Sequence, residues 1–128
     1  MIKRIYIALC LMCFTTLLNA QNRIDEVVDS FSTVGSSTYT SAVERDPQTR
    51  QVIKVVKTLE TRGDIIKDII DAFEQERETG SFSRKEEDNE VTMILATENI
   101  SSNRVYMLQY RGKVYQWGKT TIIVRPKK

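Results

Sequence analysis

The sequence predicts an α+β fold: an antiparallel sheet of about five or six strands with two helices packed on one face, in the order helix–hairpin–helix–meander. Three observations predict it. Apolar residues recur at steps of three and four in two separate stretches, Ile24 to Val34 and Ile65 to Phe73, as on an amphipathic helix. Between them, the turn signal Asp46-Pro47-Gln48-Thr49 divides two β-rich runs. After Gly80 the chain reads as three or four strands separated by turn-forming residues.

Each element follows from its own residues. In Arg23 to Val34 the stripe is Ile24, Val27, Val28, Phe31 and Val34, and Gly35-Ser36-Ser37 stops it. Thr38 to Glu44 and Arg50 to Leu59 are rich in Thr, Tyr, Val and Ile and flank the Pro47 turn, so they form a hairpin. Asp64 is positioned to cap the second helix, whose stripe is Ile65, Ile66, Ile69, Ile70 and Phe73. Gly80 serves as its C-terminal stop. Ser81 to Glu87 is polar and suits an edge strand or loop, and Asp88-Asn89 is a turn. Val91 to Thr97, apolar on both faces, Arg104 to Tyr110 and Thr120 to Arg125 complete the strands, with Pro126 closing the last. Consecutive strands joined by short turns are expected to pair with their neighbours.

The first twenty residues are of a different kind. Lys3 and Arg4 precede the uncharged, mostly apolar run Ile5 to Leu18, and Ala20 closes it before the polar Gln21-Asn22-Arg23. A basic start, an apolar middle and a small exit residue are the parts of a secretory signal peptide. The run is shorter than the ~20 apolar residues of a spanning helix, so no membrane span is expected after cleavage. The expected organisation is residues 1–20 as signal peptide and 21–128 as one α+β domain, exported to the periplasm or secreted. Cys10 and Cys13 have the spacing of a redox pair but lie inside the leader. Lipidation is not expected, since Leu9 and Met12 stand where a small residue would precede the cysteine.

Composition excludes several chemistries. The chain has no His, and both Cys belong to the leader. Residues 21–128 therefore have no Ser-His-Asp triad, no Cys-His pair and no ordinary zinc or transition-metal ligand set. The chain carries 19 Lys and Arg against 17 Asp and Glu, and Lys3 and Arg4 are the excess, so the exported part is neutral. A neutral domain lacks the basic surface on which nucleic-acid affinity rests.

The pattern "IDEVVDSFSTV", "SSTYTSAVERDPQTRQVIKVVKTLE", "DIIKDIIDAFEQERETGSF", "EVTMILATEN", "NRVYMLQY" and "TTIIV" resembles a family of small exported proteins of unknown function from Gram-negative gut bacteria. The resemblance covers nearly all of the chain after the leader. It implies envelope localisation and an α+β fold, and it implies no mechanism.

Among candidate sites, "YRGKVYQWGK" stands out. Tyr110, Tyr115 and Trp117 lie close to Arg111, Lys113 and Lys119, with Gly112 and Gly118 as turn points. Tyr, Trp and Arg combine large contact area with a polar handle, so the six form a candidate recognition site for an envelope protein or a glycan. The competing reading makes Trp117 and one tyrosine a plug at the end of the core. Asp64, Asp68, Asp71, Glu74, Glu76 and Glu78 make an acidic helix face, which reads as a solvated surface with Lys67 and Asp71 as an i,i+4 pair. No cofactor is expected. The functional expectation is an exported cell-envelope binding module without catalytic activity, the alternatives being a small carboxylate-dependent hydrolase and a structural or stress-related envelope protein.

Overall fold

A computed structural model describes residues 22–35, 37–112 and 115–127. The leader-like segment 1–20, with Cys10 and Cys13, and also Lys113 lie outside the described residues.

Helix α1 spans Arg23–Phe31. The Asn22 side chain accepts the Asp25 amide at 3.0 Å, and the Asp25 carboxylate accepts the Asn22 amide at 3.3 Å, a reciprocal cap that starts the helix. The stripe predicts a helix running on to Val34, but it ends three residues sooner. There the Ser32 amide and hydroxyl both turn back onto the Asp29 carbonyl, closing the last turn.

Helix α2 spans Asp64–Glu76 and is followed by a 3-10 turn, Arg77–Thr79. Asp64 is its first residue and not its cap. Gly63 holds the cap position at φ 77°, because its amide is committed to the Tyr115 carbonyl at 2.9 Å and the chain must turn sharply there. Gly80 is extended, so it does not end the helix through a left-handed bend. It is small for another reason: a Cβ at Gly80 would lie 2.1 Å from the Ala96 carbonyl oxygen.

Six strands follow the predicted segments: β1 Thr38–Arg45, β2 Val52–Thr61, β3 Ser81–Glu87, β4 Glu90–Glu98, β5 Ser102–Arg111 and β6 Trp117–Pro126. They form one antiparallel sheet in the order β1-β2-β6-β5-β4-β3. Asp88 and Asn89, at φ 50° and 67°, make the two-residue turn between β3 and β4, the conformation that matches strand twist. The one non-sequential contact is β2 with β6, from Val55 opposite Val124 to Thr61 opposite Gly118. The second helix thus carries the chain away after β2, and the meander returns beside it.

Both helices lie on the same face of the sheet. Ile24, Val27 and Val28 of α1 and Ile66, Ile69, Ala72 and Phe73 of α2 form one core with Leu59, Val91, Met93, Leu95, Tyr106, Leu108, Tyr110 and Ile122 of the strands. The start of α1 meets the end of α2 where the Arg23 amide donates to Glu76 Oε1 at 3.0 Å. Gly118 leaves room for α2 on the sheet, since an added Cβ there would be 2.8 Å from the Ile66 side chain.

Candidate functional site

Strand alternation sends every second residue to the face that the helices do not cover. The register places Val56, Ile123, Val105 and Ala96 in one row across this open face. The next row is Thr58, Thr121, Met107 and Ile94, and the one beyond it is Glu60, Lys119, Gln109 and Thr92. Val56, Ile94, Val105, Met107 and Ile123 are half-buried by one another, and none belongs to the core that the helices cover. The result is an apolar strip flanked by threonines, with charged residues at its margins. Its signal in the sequence is that "VTMIL" and "TTIIV" are apolar at consecutive positions, as strands with apolar residues on both faces are.

The segment Tyr110 to Lys119 divides between the two faces. Tyr110 points to the helix side, buried opposite Gly118, and Tyr115 packs against it with ring centroids 6.1 Å apart. These two tyrosines, with Arg84, Glu86, Asn89, Val91 and Gly112, line a notch of about 210 Å³. Tyr115 sits at φ 47°, unusual for a bulky side chain, while its carbonyl holds the Gly63 amide. Arg111, Trp117 and Lys119 lie on the open face instead, Arg111 opposite Trp117. Trp117 is half-buried and borders a hollow of about 390 Å³ with Thr38, Glu60, Thr61 and Arg62. Of the six residues read as one site, one tyrosine is core, the other leans on it, and three rim the apolar strip. The plug reading therefore applies to Tyr110 and not to Trp117.

At the opposite end of the sheet lies a polar cluster that the sequence reading missed. Asp25, 3 % exposed, accepts the Tyr106 hydroxyl at 2.8 Å and Arg104 Nη1 at 3.0 Å. Arg104 Nε donates to Ser102 Oγ at 3.3 Å. Burial pushes the Tyr106 hydroxyl well above the usual tyrosine range. In sequence Asp25 reads only as an acidic first-turn residue, and its partners lie 79 and 81 positions away. Arg104 and Tyr106 line a notch of about 330 Å³ with Asn22, Glu76, Thr79, Thr97, Glu98 and Asn99. Glu76 and Glu98 thus share a rim. Glu76 accepts the Arg23 amide. The hydrogen bond and charge of Lys127 hold Glu98 below the usual carboxylate range, whereas a general acid needs its pKa raised. The cluster pins the start of α1 onto β5, a structural role sufficient for its geometry.

The acidic face of α2 and the β1–β2 hairpin both carry solvent-facing ion pairs. Arg77 pairs with Glu74 at 3.3 Å, and Lys54 with Glu44 at 3.7 Å on the open face. Among the described residues no group of three or more acidic side chains is placed to hold a metal ion. No helix of the described residues is long and apolar enough to cross a membrane.

Comparison with curated proteins and with solved structures finds no match to this chain. Comparison with protein families matches residues 21–108, which run from the start of α1 almost to the end of β5. By that match over most of its length, the chain belongs to the DUF5024 family, a domain of unknown function.

Proposed function

We propose that this protein is an exported binding module of the cell envelope, without catalytic activity of its own, that recognises a partner protein across the open face of its sheet. One observation carries the reading: the strip Val56, Ile94, Val105, Met107 and Ile123 stays outside the helix-covered core, with Arg111, Trp117 and Lys119 at its end. An apolar patch rimmed by polar and aromatic residues is the ordinary composition of a recognition surface. The basic start and apolar run of residues 3–18 support export, and the resemblance to small exported proteins of Gram-negative gut bacteria supports the envelope as destination.

Cross-linking in the source cells tests this, with the tagged wild-type protein, Met107→Lys and Trp117→Ala compared in the envelope fraction. Loss of one captured protein with Met107→Lys supports the open face. Equal capture by both variants overturns it. Retention by Met107→Lys with loss of binding to envelope glycan by Trp117→Ala would move recognition to the rim and to a sugar ligand. Export itself predicts that the protein recovered from the envelope starts at Gln21, a point that intact-mass measurement decides.

A further inference from the structure

The sheet ends in two edges, and they are built differently. Edge strand β3 carries Arg84, Lys85, Glu86 and Glu87 in succession, with Arg84–Glu86 and Lys85–Glu87 pairs on alternate faces. Any strand laid along it would have to displace water from those charges, which is how natural sheets keep an edge free of partners. Edge strand β1 has no such guard. From Thr38 to Val43 it is uncharged and made of β-favouring Thr, Tyr and Val with Ser and Ala, and its side chains are exposed apart from half-buried Tyr39. Among the described residues no strand lies beside its outer backbone groups.

Apolar surface is uncovered at the same edge. Val43 is 51 % exposed and Ile53 45 %. Val43 lies opposite Val55 on the helix side of the sheet, and Ile53 falls at the register shift between β1 and β2 just beyond that pair. Neither belongs to the core that α1 and α2 cover. Free backbone together with uncovered side chains on alternate positions is what an added strand requires.

We infer that β1 pairs with β1 of a second copy of this chain, antiparallel, across a two-fold axis through Ser41, joining two six-stranded sheets into one. The strand is its own complement in that register. A two-fold perpendicular to the sheet keeps the helix sides of both copies together, so Tyr39, Ser41 and Val43 meet residues of their own face. Tyr39 of one copy then covers the exposed Val43 of the other, Ser41 meets Ser41, Thr40 meets Ala42, and Glu44 meets Thr38. No like charges face each other. Centring the axis on Glu44 would set the two Glu44 carboxylates side by side, a destabilising cross-strand pair. The same surface patch serves both partners, as a closed dimer requires. One strand pairing is small beside the ~800 Å² per partner of standard interfaces, so the association is expected to depend on concentration.

Sedimentation equilibrium of the purified protein over a range up to about 500 μM, where a micromolar complex of the kind set by affinity arithmetic is populated, tests the inference. The wild type is expected to shift from monomer to dimer. Ser41→Lys places two new cations at the axis beside Lys57, which neighbours Ser41 on β2, and is expected to stay monomeric. Adding Ser41→Glu to Ser41→Lys is expected to restore a mixed dimer, a rescue that misfolding cannot produce. Circular dichroism of the exposed-site variants checks that they fold. Met107→Lys, on the open face, is expected to dimerise as the wild type does. A wild type that stays monomeric throughout, or a Ser41→Lys protein that dimerises as the wild type does, overturns the proposal. Neither result bears on the open face.

Discussion

Single residues show how long-range contacts decide what a local signal means. Asp25 reads by sequence as an acidic first-turn residue and is by structure both half of the α1 cap and the buried member of an ion pair with Arg104. Removing Asp25 leaves Arg104 without its counter-charge and the Tyr106 hydroxyl without its acceptor, so Asp25→Ala is expected to cost about 3 kcal/mol, read from denaturant unfolding. Tyr106 makes the same cluster sensitive to alkali. Its folded pKa is raised above the ordinary 10.0, so the native state keeps a proton that the unfolded chain releases. The stability this supplies is complete below pH 10.0 and declines as pH rises further. Tyr106→Phe is expected to lose about 1 kcal/mol at neutral pH through the missing hydrogen bond. It should also show a flatter decline above pH 10.0 than the wild type. Thr120 is the counter-example: its hydroxyl is buried with no partner among the described residues. Thr120→Val keeps the β-branched shape, so it is expected to raise stability by about 1 kcal/mol, seen as a higher melting temperature.

At the scale of elements, capping and close approach set the boundaries. The reciprocal Asn22–Asp25 cap starts α1, and Asn22→Ala is expected to cost about 1 kcal/mol without altering the sheet. Gly118 lets α2 settle on β6. Gly118→Ala drives a methyl group into Ile66 and is expected to cost about 2 kcal/mol, with Ile66→Ala on the same chain recovering part of the loss. The stripe Ile66, Ile69 and Phe73 declares α2 in the sequence, because its period of 3.6 is a property of the helix alone. The helix ends were less legible. Gly63 and Gly80 both read as glycines near a helix, yet one is needed for its backbone angle and the other for the space beside Ala96. Only the fold separates those two demands.

For the whole molecule, the sheet has one face covered by the helices and one left open. Leu108 and Met107 are neighbours in β5 and point to opposite sides. Leu108→Ala is expected to cost roughly 2–5 kcal/mol, as core truncations do, whereas Met107→Lys is expected to change stability by less than about 1 kcal/mol. The difference, measured by urea unfolding of both variants, tests which face carries the core. Among the described residues apolar surface is left without helix cover on the open face, at Val43 and Ile53 of the β1–β2 hairpin, and at Ile100 in the β4–β5 loop.

The sequence by itself determined the α+β class, the two amphipathic helices, the hairpin and the meander, because periodicity and turn chemistry are local properties of a chain. It also picked out the segment Tyr110 to Lys119 by composition. What it could not decide was which of those side chains share a face, since a step of one residue reverses direction in a strand and the β5–β6 connection has its own geometry. Tertiary structure alone placed β6 beside β2, split the two tyrosines from Trp117, joined Asp25 to Arg104 and Tyr106, and left β1 as the unguarded edge. The physical reason is common to all four. Each depends on contacts between residues far apart in the chain, and those exist only once the helices have covered one face of the sheet.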